Sequence, residues 1–113
     1  MQELKVYGHI YPADKAFEEA LQNALEGALC DAISSDVPLL ERDHDMLRIS
    51  FEGRYFPEEE VLAVFSRFLL PSHKGKLDVL NMLDWRLTRY LFQEGTLVRR
   101  EVSLNHVLDY SGF

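Results

Sequence analysis

The chain has one cysteine among its 113 residues, Cys30. A single thiol excludes an intrachain disulfide framework and any zinc site built from several cysteines. It suits a reducing compartment, so a cytoplasmic protein is expected. Cys30 falls where a helix should bury its apolar face, which favours a small buried hydrophobe over a nucleophile. Long apolar runs are missing as well. The longest extend over only a few residues, far short of the ~20 that a membrane-spanning helix requires. The opening Met1-Gln2-Glu3-Leu4-Lys5-Val6 has no basic stretch leading into an apolar one, so no secretory leader is expected. The six glycines are scattered and form no phosphate-cradling loop. No serine stands in a Gly-x-Ser-x-Gly context, which removes the usual nucleophile elbow. Internal repeats and low-complexity tracts are absent too.

Basic charge is scarce: 12 Lys and Arg face 19 Asp and Glu, for a net charge of −7. Such a balance argues against nucleic acid and anionic membranes as partners. The deficit is uneven. Residues 1–60 hold fourteen acids and five bases, a net of −9, whereas residues 61–113 hold five acids and seven bases, a net of +2. The back half therefore remains able to hold a local anion or an acidic partner.

Apolar residues make up 47% of the chain, enough to build a core without staples in one domain spanning residues 1–113. Residues 3–11 alternate, with Leu4, Val6, Gly8 and Ile10 opposite Lys5, Tyr7, His9 and Tyr11, which predicts a strand. Pro12 ends it. Phe17, Ala20, Leu21, Ala24, Leu25, Ala28 and Leu29 recur at helical spacing and predict an amphipathic helix from about Ala13 to Ile33. Ser34-Ser35-Asp36 breaks that helix. Residues 37–52 read as a hairpin, with Val37–Leu40 as an edge strand, Glu41–Asp45 as a polar turn and Met46–Phe51 as the return. Pro57 and Glu58-Glu59-Glu60 open a second helix whose stripe is Val61, Leu62, Phe65, Phe68 and Leu69. Residues 76–94 fit either period. Strands are preferred for 85–92 because Gln93-Glu94-Gly95-Thr96 resembles a hairpin turn into Leu97–Val102. Residues 77–83 read as a strand or a short turn. Ser103 caps an expected last helix over 104–110. The expected class is α+β, a mixed or antiparallel sheet with two long amphipathic helices on one face, in the order β-α-β-β-α-β-β-β-α.

Three clusters carry polar chemistry. Asp43, His44 and Asp45 bring two carboxylates and an imidazole together, a metal-ligand set by type. Their spacing is poor for it, and Asp in a hairpin turn needs no metal to explain it. Tyr7, His9 and Tyr11 line one strand face, and Arg48 and Glu52 join them if that strand neighbours Met46–Phe51. Such a row can hold a small anion or act as acid and base, with His9 as the titrating group; it also fits an outer face wet by solvent. Trp85, Arg86, Arg89, Tyr90, Arg99 and Arg100 interleave cations with aromatics, which suits a protein interface. Pairing with Glu94, Glu101 and Asp84 is the plainer explanation. His73 and His106 stand apart from these clusters.

With no catalytic motif, the first expectation is a non-enzymatic protein-binding or regulatory module that uses the Arg/aromatic surface of residues 85–100, with a protein partner or a second copy of the chain. The alternative is a small-ligand binder or small enzyme with its pocket at Tyr7, His9, Tyr11 and Arg48. No cofactor is called for by either.

Overall fold

The computed structural model describes residues 4–29 and 39–104. In chain order the elements are β1 (Leu4–Tyr11), α1 (Lys15–Leu29), β2 (Leu40–Asp43), β3 (Met46–Gly53), α2 (Glu58–Phe68), β4 (Lys74–Asn81), β5 (Arg86–Gln93) and β6 (Thr96–Ser103). The strands form one sheet in the order β2-β3-β1-β4-β5-β6, and every neighbouring pair is antiparallel. Through α1 the chain passes from β1 to β2 with β3 inserted between them. Through α2 it passes from β3 to β4 with β1 inserted. Two split βαβ units therefore interlock, and a β5–β6 hairpin widens the sheet beyond β4.

Local chemistry explains the junctions. Asp14 Oδ1 accepts the Phe17 amide at 2.9 Å and caps the first turn of α1. Arg42 ties that turn to the β2–β3 hairpin, donating to Glu18 Oε1 at 2.5 Å and to the Ala13 carbonyl at 2.9 Å. Pro57 precedes α2, and Glu58, Glu59 and Glu60 fill its first turn, where the positive end of the dipole favours them. Glu94 and Gly95 both take positive φ, 55° and 76°, the backbone that a two-residue hairpin needs to match strand twist.

The core lies between the helices and one sheet face. Val6, Ile10, Leu47, Ile49, Phe51, Leu77, Val79 and Phe92 meet Phe17, Leu21, Leu25, Val61 and Phe65. Aromatic rings join the layers: Phe17 packs edge-on against Phe65 at 5.6 Å, and Phe65 stacks on Phe92 at 4.4 Å. Glycine at two positions lets β1 and β4 approach closely. A Cβ on Gly75 would lie 2.1 Å from the His9 carbonyl oxygen, and one on Gly8 would lie 2.7 Å from the Lys76 carbonyl oxygen.

The expected class needs correction. A pair of long helices does not dominate the architecture. Six antiparallel strands form its bulk, while α1 has 15 residues and α2 only 11. The mixed-sheet option falls with the antiparallel pairings. Strand content is higher than expected because residues 74–81 form a full strand. Leu77, Asp78 and Val79 are buried in succession, as are Arg89 and Tyr90 in β5. Burial on both faces hides the period of two, so the leucines at 77, 80, 83, 87 and 91 mimic a helix. The polar turn also shrinks: Glu41, Arg42 and Asp43 belong to β2, leaving His44 and Asp45 as the turn. The expected Val37 strand start, the end of the first helix, Cys30, His106 and residues 105–110 of the last helix lie outside the described residues.

Candidate functional site

Alternation in β1 sends Val6, Gly8 and Ile10 into the core and Tyr7, His9 and Tyr11 to the opposite face. Both neighbours follow the same alternation. His9 is paired with Arg48 of β3 on one side and with Lys76 of β4 on the other. Tyr7 lies between Ser50 and Asp78, and Tyr11 opposes Lys74. Tyr7, His9, Tyr11, Arg48, Ser50, Lys76 and Asp78, with Met46, line a concavity of about 430 Å³. The size falls within the range of small-molecule pockets.

Electrostatics concentrate at His9. Partial burial, and then the Lys76 and Arg48 charges, lower its pKa below the ordinary 6.5, against a weaker opposing pull from Asp78. The imidazole is thus held neutral between two cations. Its ring stacks on Tyr11, with centroids 6.2 Å apart. The Tyr7 hydroxyl donates to Glu52 Oε1 at 2.8 Å. Burial and the Glu52 carboxylate push the Tyr7 pKa up to about 12, so Tyr7 stays protonated.

A buried ion pair supports the floor of the site. Arg89 donates from Nε and Nη2 to the two Asp78 carboxylate oxygens, at 2.7 and 3.0 Å. The Arg89 side chain is 1% exposed and that of Asp78 is 8% exposed. Lys76 Nζ stands 3.6 Å from Asp78 Oδ2. A charged chain therefore runs from β5 through Asp78 to Lys76 at the concavity. Two-point Arg–carboxylate geometry fixes Asp78 more firmly than a single contact.

The sequence candidates divide sharply. Tyr7, His9, Tyr11 and Arg48 come together, because β1 and β3 are neighbours in register. Lys76, Asp78 and Ser50 join them; none was singled out in the sequence, although Lys74, Lys76 and Asp78 alternate along one strand face. The Arg/aromatic group does not form one surface. Arg89 is inside and on the opposite face from Tyr90, and Tyr90 is buried and donates to the Glu58 carboxylate. Its pKa rises to about 12, through burial first and then Glu58. Arg86 and Arg99 both pair with Glu101, each at 2.7 Å. Trp85 sits in the β4–β5 turn with φ of 56°, and Arg100 is exposed on β6. In the turn triad, Asp43 Oδ1 meets His44 Nδ1 at 2.9 Å and Asp43 Oδ2 meets Arg48 at 3.5 Å. His44, and then Arg48, lower the Asp43 pKa. Among the described residues, no group of three or more His, Cys, Asp or Glu is placed to hold a metal ion.

No family model matches this chain, and no curated protein or solved structure matches it. Among the described residues, no helix is long and apolar enough to cross a membrane.

Proposed function

We propose that this is a small-ligand-binding domain whose ligand carries a phosphate or carboxylate, held on the β3-β1-β4 face. The observation that carries this reading is the register of His9 between Arg48 and Lys76. Two cations and an imidazole converge at a concavity in a protein whose net charge is −7. Arg48 supplies a planar fork and Lys76 a point charge, a pairing suited to oxyanions. Tyr7 and Tyr11, each 40% exposed, offer flat walls to the uncharged part of a ligand. A reducing, cytoplasmic setting suits the lone cysteine and a ligand drawn from phosphorylated or carboxylated metabolites.

Anion binding neutralises the two charges that, after burial, lower the His9 pKa, so it favours a proton on the ring. Sulfate remains a dianion across this range. It should bind more tightly at pH 5.5 than at pH 7.5 in calorimetric titrations, with proton uptake. A thermal-shift screen of phosphosugars, nucleotides and dicarboxylates identifies the ligand class; saturation at about a hundred times Kd adds ~2.7 kcal/mol. Arg48→Gln and Lys76→Gln should abolish the shift. A shift that persists in both variants rejects this site.

A second reading, a protein-binding module, draws on Leu83 and Trp85, which are 64% and 47% exposed at the β4–β5 turn beside Arg86. A flat screen together with partner capture that is lost on Trp85→Ser would favour it.

A further inference from the structure

We infer that a second ligand site, for a small carboxylate with an apolar or aromatic body, lies between the start of α1 and the end of α2. A groove of about 480 Å³ opens there, walled by Pro12, Phe17, Phe68 and Leu70. Leu70 is 57% exposed at its rim, a large apolar side chain that an apolar ligand would cover.

Four polar side chains, His73, Arg67, Asp14 and Ser72, line this otherwise apolar groove, and the first two supply N–H donors for an anion. His73 is only 6% exposed. Its Nδ1 accepts the Leu70 amide at 2.8 Å, and its ring packs edge-on against Phe17 at 5.4 Å. An accepting Nδ1 puts the ring proton on Nε2, so a fixed imidazole offers the groove one N–H donor. Arg67 is the second group. Its guanidinium lies 4.8 Å from the centre of the Phe68 ring. Among the described residues it has no carboxylate partner, whereas Arg42, Arg86, Arg89 and Arg99 each hold one. A guanidinium on an aromatic wall, with an N–H donor in the same groove, suits a carboxylate attached to an apolar body. Asp14 also borders the groove, and its Oδ1 is occupied by the Phe17 amide at the helix start. This site shares no residue with the β3-β1-β4 concavity.

The test is titration of the ¹⁵N-labelled full chain with phenylacetate and, separately, with phenethylamine, the same body bearing the opposite charge. At about 10 mM, a ligand with Kd near 1 mM is close to saturation. Phenylacetate should shift the Leu70 and His73 amides and the His73 ring, and phenethylamine should not. Arg67→Gln should weaken phenylacetate by about ten-fold or more. His73→Asn keeps an acceptor for the Leu70 amide, removes the Nε2 donor, and should weaken it similarly. Should His73→Asn not fold, exposed Arg67 carries the test alone. His9→Gln, in the other concavity, should leave the phenylacetate-induced shifts of Leu70 and His73 unchanged. Absence of those shifts, equal shifts with phenethylamine, full affinity at Leu70 and His73 in Arg67→Gln, or loss of those shifts on His9→Gln would each overturn the inference.

Discussion

The two faces of β1 differ in how they use the same backbone. Toward the helices, Val6 and Ile10 are buried among aromatic and aliphatic side chains, and exclusion of water is enough to fix them. Toward the other side, Tyr7, His9 and Tyr11 stay partly wet, flanked by charges in register on both neighbouring strands. The first face resists substitution because it is packed. On the proposed reading, the second is sensitive to charge placement more than to packing. Core packing and the proposed ligand recognition are then separated by a single residue step along one strand.

That contrast can be broken most severely where the two faces share backbone. Gly75→Ala places a methyl against the His9 carbonyl and must force β1 from β4. A loss of about 3 kcal/mol or more in urea unfolding is expected. Phe65→Ala, which strips the ring between Phe17 and Phe92, should cost a similar 3–5 kcal/mol or so and leave the His9 surroundings in place.

The Asp78–Arg89 pair sharpens the comparison, since it is buried on the polar side. Arg89→Met alone strips the buried Asp78 carboxylate of its two-point partner, leaving Lys76 at 3.6 Å, and should cost about 3 kcal/mol. Asp78→Leu with Arg89→Met should recover most of that stability. It should not restore sulfate affinity, because the Asp78 contact that positions Lys76 is gone. Full recovery of both would remove Asp78 from the site.

A smaller effect comes from pH. Folding lowers the His9 pKa, so the folded chain binds fewer protons than the unfolded chain between that lowered value and 6.5. Stability therefore falls as pH drops through this window. The His9 part of the slope should flatten in His9→Gln and in Lys76→Gln, as read by thermal unfolding at several pH values. The smallest change is expected at the exposed Arg86–Glu101–Arg99 cluster: Arg86→Gln should cost less than about 1 kcal/mol.

Much of this was legible in the chain. Strict alternation in residues 4–11 and 46–51 located β1 and β3 and put Tyr7, His9, Tyr11 and Arg48 on matching faces. Gln93–Thr96 marked its hairpin because Glu94-Gly95 suits positive φ. What the sequence hid has physical causes. Lys76 and Asp78 alternate with Leu77 and Val79, but this short alternation is masked by the leucines at 77, 80, 83, 87 and 91, which fit a helical period equally well. Arg89 reads as a surface cation because a buried arginine is recognised only through its partner, eleven residues away on another strand.

The most direct measurement follows the His9 imidazole by NMR across pH 5–8, with and without sulfate. In the free protein His9 should titrate below 6.5, and sulfate should raise its pKa. A His9 that titrates at its ordinary value and ignores sulfate would contradict an anion site between Arg48 and Lys76.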